Sequence, residues 1–221
     1  MSSLRTFYDR FPITKVSKGE VILQQGETPE HGFAVKRGII KITNVSGDGN
    51  EKIISFKITN DLFPVCWIFS KTNATLFYYQ AHTDCELYTI DKEMIEHQLE
   101  SEPEFVRSLL DKQVNDFISD SLQIDALAQS KASIKLLYMF RHLSLRFGRK
   151  MNNGFIRIQV PLTQSELASL TGLTRETTIL ELHKLKRSAV ISSRHKYYTV
   201  NTDRLRNLID DWYDPGSVSF A

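Results

Sequence analysis

"LTQSELASLTGLTRETTILELHKLKRSAVI", residues 162–191, holds two short amphipathic stretches hinged on a glycine and followed by a basic segment. Thr163-Gln-Ser-Glu166 has the spacing of a capping box, in which the threonine hydroxyl accepts from a backbone amide and the glutamate reaches back to the cap. Leu167 and Leu170 then form the inward face of a short helix. Gly172, within "TGLT" (171–174), is the residue able to enter left-handed backbone, and Thr174 is placed to cap a second helix running to about Arg187. Two helices joined by such a turn are a device for setting the second into the major groove of DNA.

At about 100° per residue, Thr178, Leu182 and Leu185 share the core side of that second helix. Glu176, Ile179, Leu180, His183 and Arg187 lie opposite, with Arg175 at the margin. Base contacts come mainly from the first turns, so Arg175, Glu176, Ile179 and Leu180 are the candidates. Arginine can take guanine O6 and N7 together, glutamate can accept from cytosine N4, and their adjacency would let one orient the other. The hydroxyls of Thr174 and Thr177 suit phosphate oxygens. Beyond the helix, "AVISSRHKYYTV" (189–200) reads as two short strands around 192–196: a wing whose basic tip, with Arg194 and Lys196, is placed for the sugar-phosphate backbone.

N-terminal to this region the hydrophobic period is also helical. In "PEFVRSLLDKQVNDFISDSLQIDALA" (103–128), Leu110, Val114, Phe117, Ser121, Ile124 and Ala128 follow the four-three alternation of a coiled-coil seam, flanked by Val106, Leu109 and Leu127. Such a helix either packs on its own domain or meets a partner; its wide apolar surface favours a homodimer. A further helix is expected over 131–148, ended by Gly148, and "GFIRIQV" (154–160) alternates as a strand. Residues 19–91 differ: "EVILQQG", "GFAVKRGIIKITNV", "NEKIISFKI", "LFYYQAHT" and "ELYTI" are short, β-branched or aromatic runs. They predict a small antiparallel barrel or roll, with "SGDGNEK" (46–52) as a hairpin tip where Gly47 and Gly49 are free to take positive φ. The expected organisation is α+β: a roll over 1–102, a long dimerisation helix over 103–130, and a winged helix-turn-helix over 131–221.

Composition bounds the function. The net charge of +2 conceals an asymmetry: residues 131–221 carry 15 Lys/Arg against 7 Asp/Glu, whereas 1–130 carry the remaining 13 basic and 19 acidic residues. A basic half facing a polyanion is the reading this favours over two merely solvated surfaces. No apolar run approaches the roughly 18–20 residues needed to span a bilayer, and "MSSLRTFYDRF" lacks the apolar core of a secretory signal. Cys66 and Cys85 form no C-x-x-C, so neither a disulfide framework nor a thiolate metal site is expected, and a reducing cytoplasm is the expected location. A cupin-type enzyme would need histidines and a carboxylate converging from neighbouring strands, and the strand-forming segment 19–91 holds only His31 and His82. No nucleophile has a recognisable setting, so no catalytic residue, metal or cofactor is assigned.

With these residues in place, the chain resembles the Crp-Fnr family of bacterial transcription regulators over nearly its whole length. "LTQSELASLTGLTRETT" through "LHKLKRSAVI" carries the most specific likeness, joined by "KGEVILQQGE" and "VKRGIIKI" in the roll. The resemblance implies a symmetric dimer reading a palindromic promoter site, with recruitment or blocking of RNA polymerase. It places Arg175 and Glu176 at the base-reading pair, and Gln164, Ser165, Thr174 and Thr177 at positions that commonly meet phosphates. The family often has a small residue at Ile179 and a basic one at Leu180; here the two either meet thymine methyls or stand by. Cyclic-nucleotide-binding relatives have a glutamate for the ribose and Arg-Ser for the phosphate. The matching segment, "NDLFPVCWIFSKTNATLFYYQA" (60–81), has Val65 and Thr75-Leu76 instead, which argues against cyclic AMP or cyclic GMP. Two distant cysteines cannot supply an iron–sulfur cluster. The aromatics of this segment (Phe63, Trp67, Phe69, Phe77, Tyr78, Tyr79) either fill the roll as core or line a pocket for an uncharged ligand. A regulator of the same fold responsive to a small molecule is the alternative reading.

Overall fold

A computed structural model describes residues 3–209, apart from 48, 50 and 153. The chain divides into two compact units between Gln113 and Val114.

The first unit begins with α1 (Ser3–Tyr8), then β1 (Ile13–Val16), β2 (Val21–Leu23), β3 (Gly32–Arg37), β4 (Ile40–Val45), β5 (Glu51–Lys57) and β6 (Leu62–Phe63). It continues through α2 (Val65–Ile68), β7 (Tyr78–Ala81), β8 (Cys85–Ile90) and α3 (Lys92–Ser101) into α4 (Pro103–Ala128), which runs on into the second unit. Two four-stranded antiparallel sheets, ordered β1-β8-β3-β6 and β2-β7-β4-β5, make the expected roll. Period-2 alternation sorts their side chains. On β3, Val35 points between the sheets to join Leu23, Ile40, Ile42, Phe63, Tyr79 and Leu87, while Ala34 points to the other face. That outer face is covered by Leu4, Phe7 and Tyr8 of α1, Ile95 of α3, and Phe105 and Leu109 of α4. Asp61, buried beside β6, receives Lys112 of α4 at 2.6 Å, so the first half of α4 is held to the roll by an ion pair as well as by packing.

The strands expected from the sequence are present, and the helix expected at 103–128 is α4. Of the expected hairpin tip, Gly49 takes positive φ but Gly47 does not, while Asp48 and Asn50 lie outside the described residues. The elements α1, α2, α3, β1 and β6 are additions, most of them too short to impose a period on the sequence.

The second unit adds α5 (Ala132–Phe147), β9 (Gly148–Lys150), β10 (Phe155–Ile158), α6 (Gln164–Thr171), α7 (Arg175–Arg187), β11 (Ile191–Arg194), β12 (Tyr197–Asn201) and α8 (Thr202–Arg206). Its sheet is ordered β11-β12-β10-β9, and α5 packs against α6, α7 and both β9 and β10. Gly148 ends α5 in extended rather than left-handed backbone. A Cβ there would lie 2.0 Å from the Ser144 carbonyl oxygen and 2.4 Å from Ile156 Cγ2, so close approach is what requires glycine. Residues 210–221 of the expected winged domain lie outside the described residues.

Helices α4 and α5 are joined by polar groups. Arg146 Nη2 meets Asp116 Oδ1 at 2.5 Å and Arg141 Nη1 lies 3.9 Å from Asp125 Oδ2, with both guanidiniums nearly buried. Between them His142 is buried, hydrogen-bonded to the backbone of Ser119. Burial, reinforced by the Arg146 charge, pushes its pKa from 6.5 down to about 4. The folded protein therefore keeps His142 neutral where the unfolded chain would bind a proton, so the contribution present above pH 6.5 is lost as the pH falls towards 4. The urea midpoint of the wild type should drop over that window, and His142→Gln should drop less; equal falls would contradict this origin.

Candidate nucleic-acid interface

The local chemistry of residues 163–178 fixes the start of both interface helices. Glu166 N donates to Thr163 Oγ1 at 3.1 Å, and Thr163 N donates to Glu166 Oε2 at 2.7 Å, which closes the capping box of α6. Gly172 ends that helix at φ 65°. Thr174 then caps α7: its Oγ1 accepts from Thr177 N at 3.1 Å and donates to Thr177 Oγ1 at 2.9 Å. With that oxygen already accepting, the Thr177 hydroxyl proton is not used within the pair. Thr178 Oγ1 returns to Thr174 O at 2.9 Å, so a buried threonine sits on α7 without an unsatisfied hydroxyl.

Thr178, Leu182 and Leu185 are buried and set the rotation of α7. Arg175 and Glu176 are consequently exposed. No ion pair joins them: among the described residues neither side chain has a hydrogen-bond or ion-pair partner, which corrects the expectation that one would orient the other. Adjacent helical positions diverge by about 100°, so side chains at i and i+1 do not face each other. Of the two apolar candidates, Leu180 is 63% exposed and Ile179 is half-buried. Gln164 and Ser165 occupy the first turn of α6, where backbone amides lack intrahelical partners; Ser165 is exposed and Gln164 half-buried.

The wing is tighter than its sequence implies. Ser192 to Arg194 belong to β11, and only His195 and Lys196 turn, at φ 48° and 69°. Consecutive positive φ values match the twist of a two-residue hairpin. Arg194 and Lys196 are exposed at this tip. Leu162 N donates to Lys196 O at 2.8 Å, tying the wing to the residue that leads into α6. Tyr198 packs behind it against Phe140, and burial raises its pKa to about 12. The interface candidates therefore lie on one strand turn and two helix N-termini held by a shared core.

In the roll, the positions that differ from cyclic-nucleotide-binding relatives have structural employment. Thr75 is buried; its hydroxyl donates to Gln24 O and its amide donates to Glu27 O at 2.8 Å, closing the 24–27 turn. Val65 opens α2 and is half-buried. Phe33, Phe63 and Tyr79 stack between the sheets, with ring centres 5.6 and 5.2 Å apart. Phe63 and Tyr79 thus belong to the core between the sheets, whereas Trp67, on α2, packs with Phe7 and Tyr8 of α1 in the other cluster. His31 pairs with Asp91 at 2.9 Å and His82 lies against the Phe56 ring, so the two do not converge.

This fold, a two-sheet roll followed by a winged helix-turn-helix, defines a class of DNA-binding regulators. Residues 13–102 match the cyclic nucleotide-binding domain family and residues 135–208 the Crp-like helix-turn-helix domain family. The chain is 24% identical over 196 residues to the electron transport regulator A of Shewanella oneidensis, covering 88% of this chain and 76% of the relative. It is 24% identical over 189 residues to the global nitrogen regulator of Synechococcus elongatus, covering 85% of each. The structure of FixK2 from Bradyrhizobium japonicum superposes with a TM-score of 0.75 at 18% identity, over 92% of this chain and 99% of that one. The chain belongs to the Crp-Fnr family of transcription regulators.

The caps and the glycine turn make a stability prediction. Thr163→Ala should cost about 1 kcal/mol through the lost cap, and Gly172→Ala about 1–2 kcal/mol through left-handed strain. Chemical denaturation of the full chain measures both; an unchanged midpoint for Gly172→Ala would contradict the turn assignment.

Proposed function

We propose that the protein reads duplex DNA as a homodimer, each α7 entering a major groove of a palindromic promoter site. The observation that carries this reading is the first turn of α7, where exposed Arg175 and Glu176 stand without intramolecular partners beside a threonine cap in which the Thr177 oxygen accepts from Thr174 and keeps its own proton to donate. Arg175, Glu176, Ile179 and Leu180 contact bases. Gln164, Ser165, Thr174, Thr177, Arg194 and Lys196 hold phosphates, which position the helix without reading sequence. The half-buried Ile179 reaches less far into the groove than Leu180.

The dimer forms through α4. Leu110, Val114, Phe117 and Ile124 are 60%, 48%, 71% and 66% exposed, and Ser121 lies on the same seam with its hydroxyl turned back to Phe117 O. Four large apolar side chains left in water along one helix stripe are a surface that a second copy removes from water. Two α7 helices then address half-sites about 34 Å apart. Filling of the roll by Phe33, Phe63 and Tyr79, with Thr75 committed to the 24–27 turn, supports a regulator that does not respond to cyclic nucleotides. We assign it no catalytic role. It acts in the cytoplasm, where promoters lie, by recruiting or blocking RNA polymerase.

Mobility shifts with genomic fragments test this proposal. Arg175→Ala should relax sequence preference, whereas Lys196→Ala should weaken all fragments evenly and lower the salt slope by about 0.9 per phosphate contact removed. Cyclic AMP or cyclic GMP should leave the wild-type shift unchanged. Uniform weakening by Arg175→Ala, without relaxed preference, would contradict the base-reading role.

A further inference from the structure

The sheet of the second unit has one buried face and one open face, and its register fixes which side chains share the open one. Arg149 lies opposite Arg157, Arg157 opposite Thr199, and Thr199 opposite Ser192. Paired residues of an antiparallel ladder stand on the same face. The next row towards the wing tip pairs Arg194 with Tyr197. Ile158, Tyr198, Val200 and Ile191, of the other parity, are buried on the inner face. Arg149, Arg157 and Arg194 are all exposed. The Arg157 guanidinium lies 4.8 Å from the centre of the Tyr197 ring, a cation–π contact that holds it flat against the sheet.

Directly opposed like charges, with Cβ atoms about 5 Å apart, destabilise a sheet. Among the described residues no carboxylate pairs with Arg149, Arg157 or Arg194. Arg141 and Arg146 of the same unit behave differently, each meeting an aspartate. The open face thus gathers three unneutralised guanidiniums, Arg149 and Arg157 side by side in one row and Arg194 in the next, with the Thr199 and Ser192 hydroxyls completing the first row. Guanidiniums and hydroxyls are the donors that meet phosphate oxygens.

We propose that this face is a second DNA surface, gripping phosphates outside the half-site that α7 reads, with Arg149 and Arg157 as contacts and Tyr197 as the positioning residue for Arg157. The inference rests on the DNA-reading proposal above and extends the surface continuously from the wing tip. Thr199 lies three residues beyond Lys196, about 10 Å at strand rise, and β9 lies two strand spacings, again about 10 Å, from β12. Arg157 and Arg149 therefore lie about 11 and about 14 Å from the tip.

Fluorescence anisotropy with the full chain tests it, using a duplex cut from the tightest genomic fragment in two lengths. One ends at the outer edge of each half-site; the other extends about ten base pairs further on both sides. Wild type should bind the long duplex about tenfold more tightly, and Arg149→Gln/Arg157→Gln should lose that gain while keeping short-duplex affinity. Its salt slope on the long duplex should fall by about 0.9 per lost contact. Tyr197→Leu should lose part of the gain and Tyr197→Phe should retain it, which separates positioning from folding. Equal wild-type affinity for the two lengths would overturn the flanking surface alone, whereas failure of wild type on both would overturn the DNA-reading proposal with it. Unchanged long-duplex binding by the double variant, accompanied by lost transcription with RNA polymerase, would assign the face to an acidic protein partner and overturn it too.

Discussion

The rotational setting of α7 governs what this protein can touch. Thr178, Leu182 and Leu185 are buried at helical spacing, and Thr178 is satisfied by the carbonyl of the cap one turn earlier. Once that face is fixed, Arg175 and Glu176 can only project outward. Gly172 and Thr174 settle where the helix begins, and a shift of one residue would rotate every side chain by about 100°. Wing, caps and recognition residues are coupled through one core, because Leu162 reaches the wing tip and Tyr198 packs on Phe140.

The distribution of charge follows the same division of labour. Two arginines of α5 are consumed in ion pairs with aspartates of α4, where they brace helices, while those on the wing sheet and at the start of α7 remain unneutralised at the surface. Surface arginines of this kind add little to stability. Their value is to a polyanion, whose released counterions supply the binding free energy. The acidic roll presents the opposite character: aromatic rings stack between its sheets, and Thr75 closes its turn at 24–27.

The helix pair is legible in the sequence because capping, glycine and period agree over residues 162–191, and each signal arises from contacts within a few residues. The seam of α4 is legible for a related reason: Leu110, Val114, Phe117 and Ile124 repeat at helical spacing and stay exposed. What resists reading is non-local. The missing Arg175–Glu176 pair depends on side-chain direction rather than sequence adjacency. The Arg149–Arg157 row depends on a strand register joining β9 to β10, and the burial of Arg141 and His142 and the Arg146–Asp116 ion pair on how α5 packs against α4. Short elements such as β6 and α2 exist because the sheets around them already do.

Selection of bound duplexes from a random-sequence pool by the full-length protein addresses the central claim most directly, that two copies present α7 to successive major grooves. The account predicts an enriched inverted repeat with half-site centres one helical turn apart, information concentrated in a few base pairs per half-site, and loss of that information in a pool selected by Arg175→Ala. Enrichment of a single unrepeated site, or of no sequence at all, would contradict it.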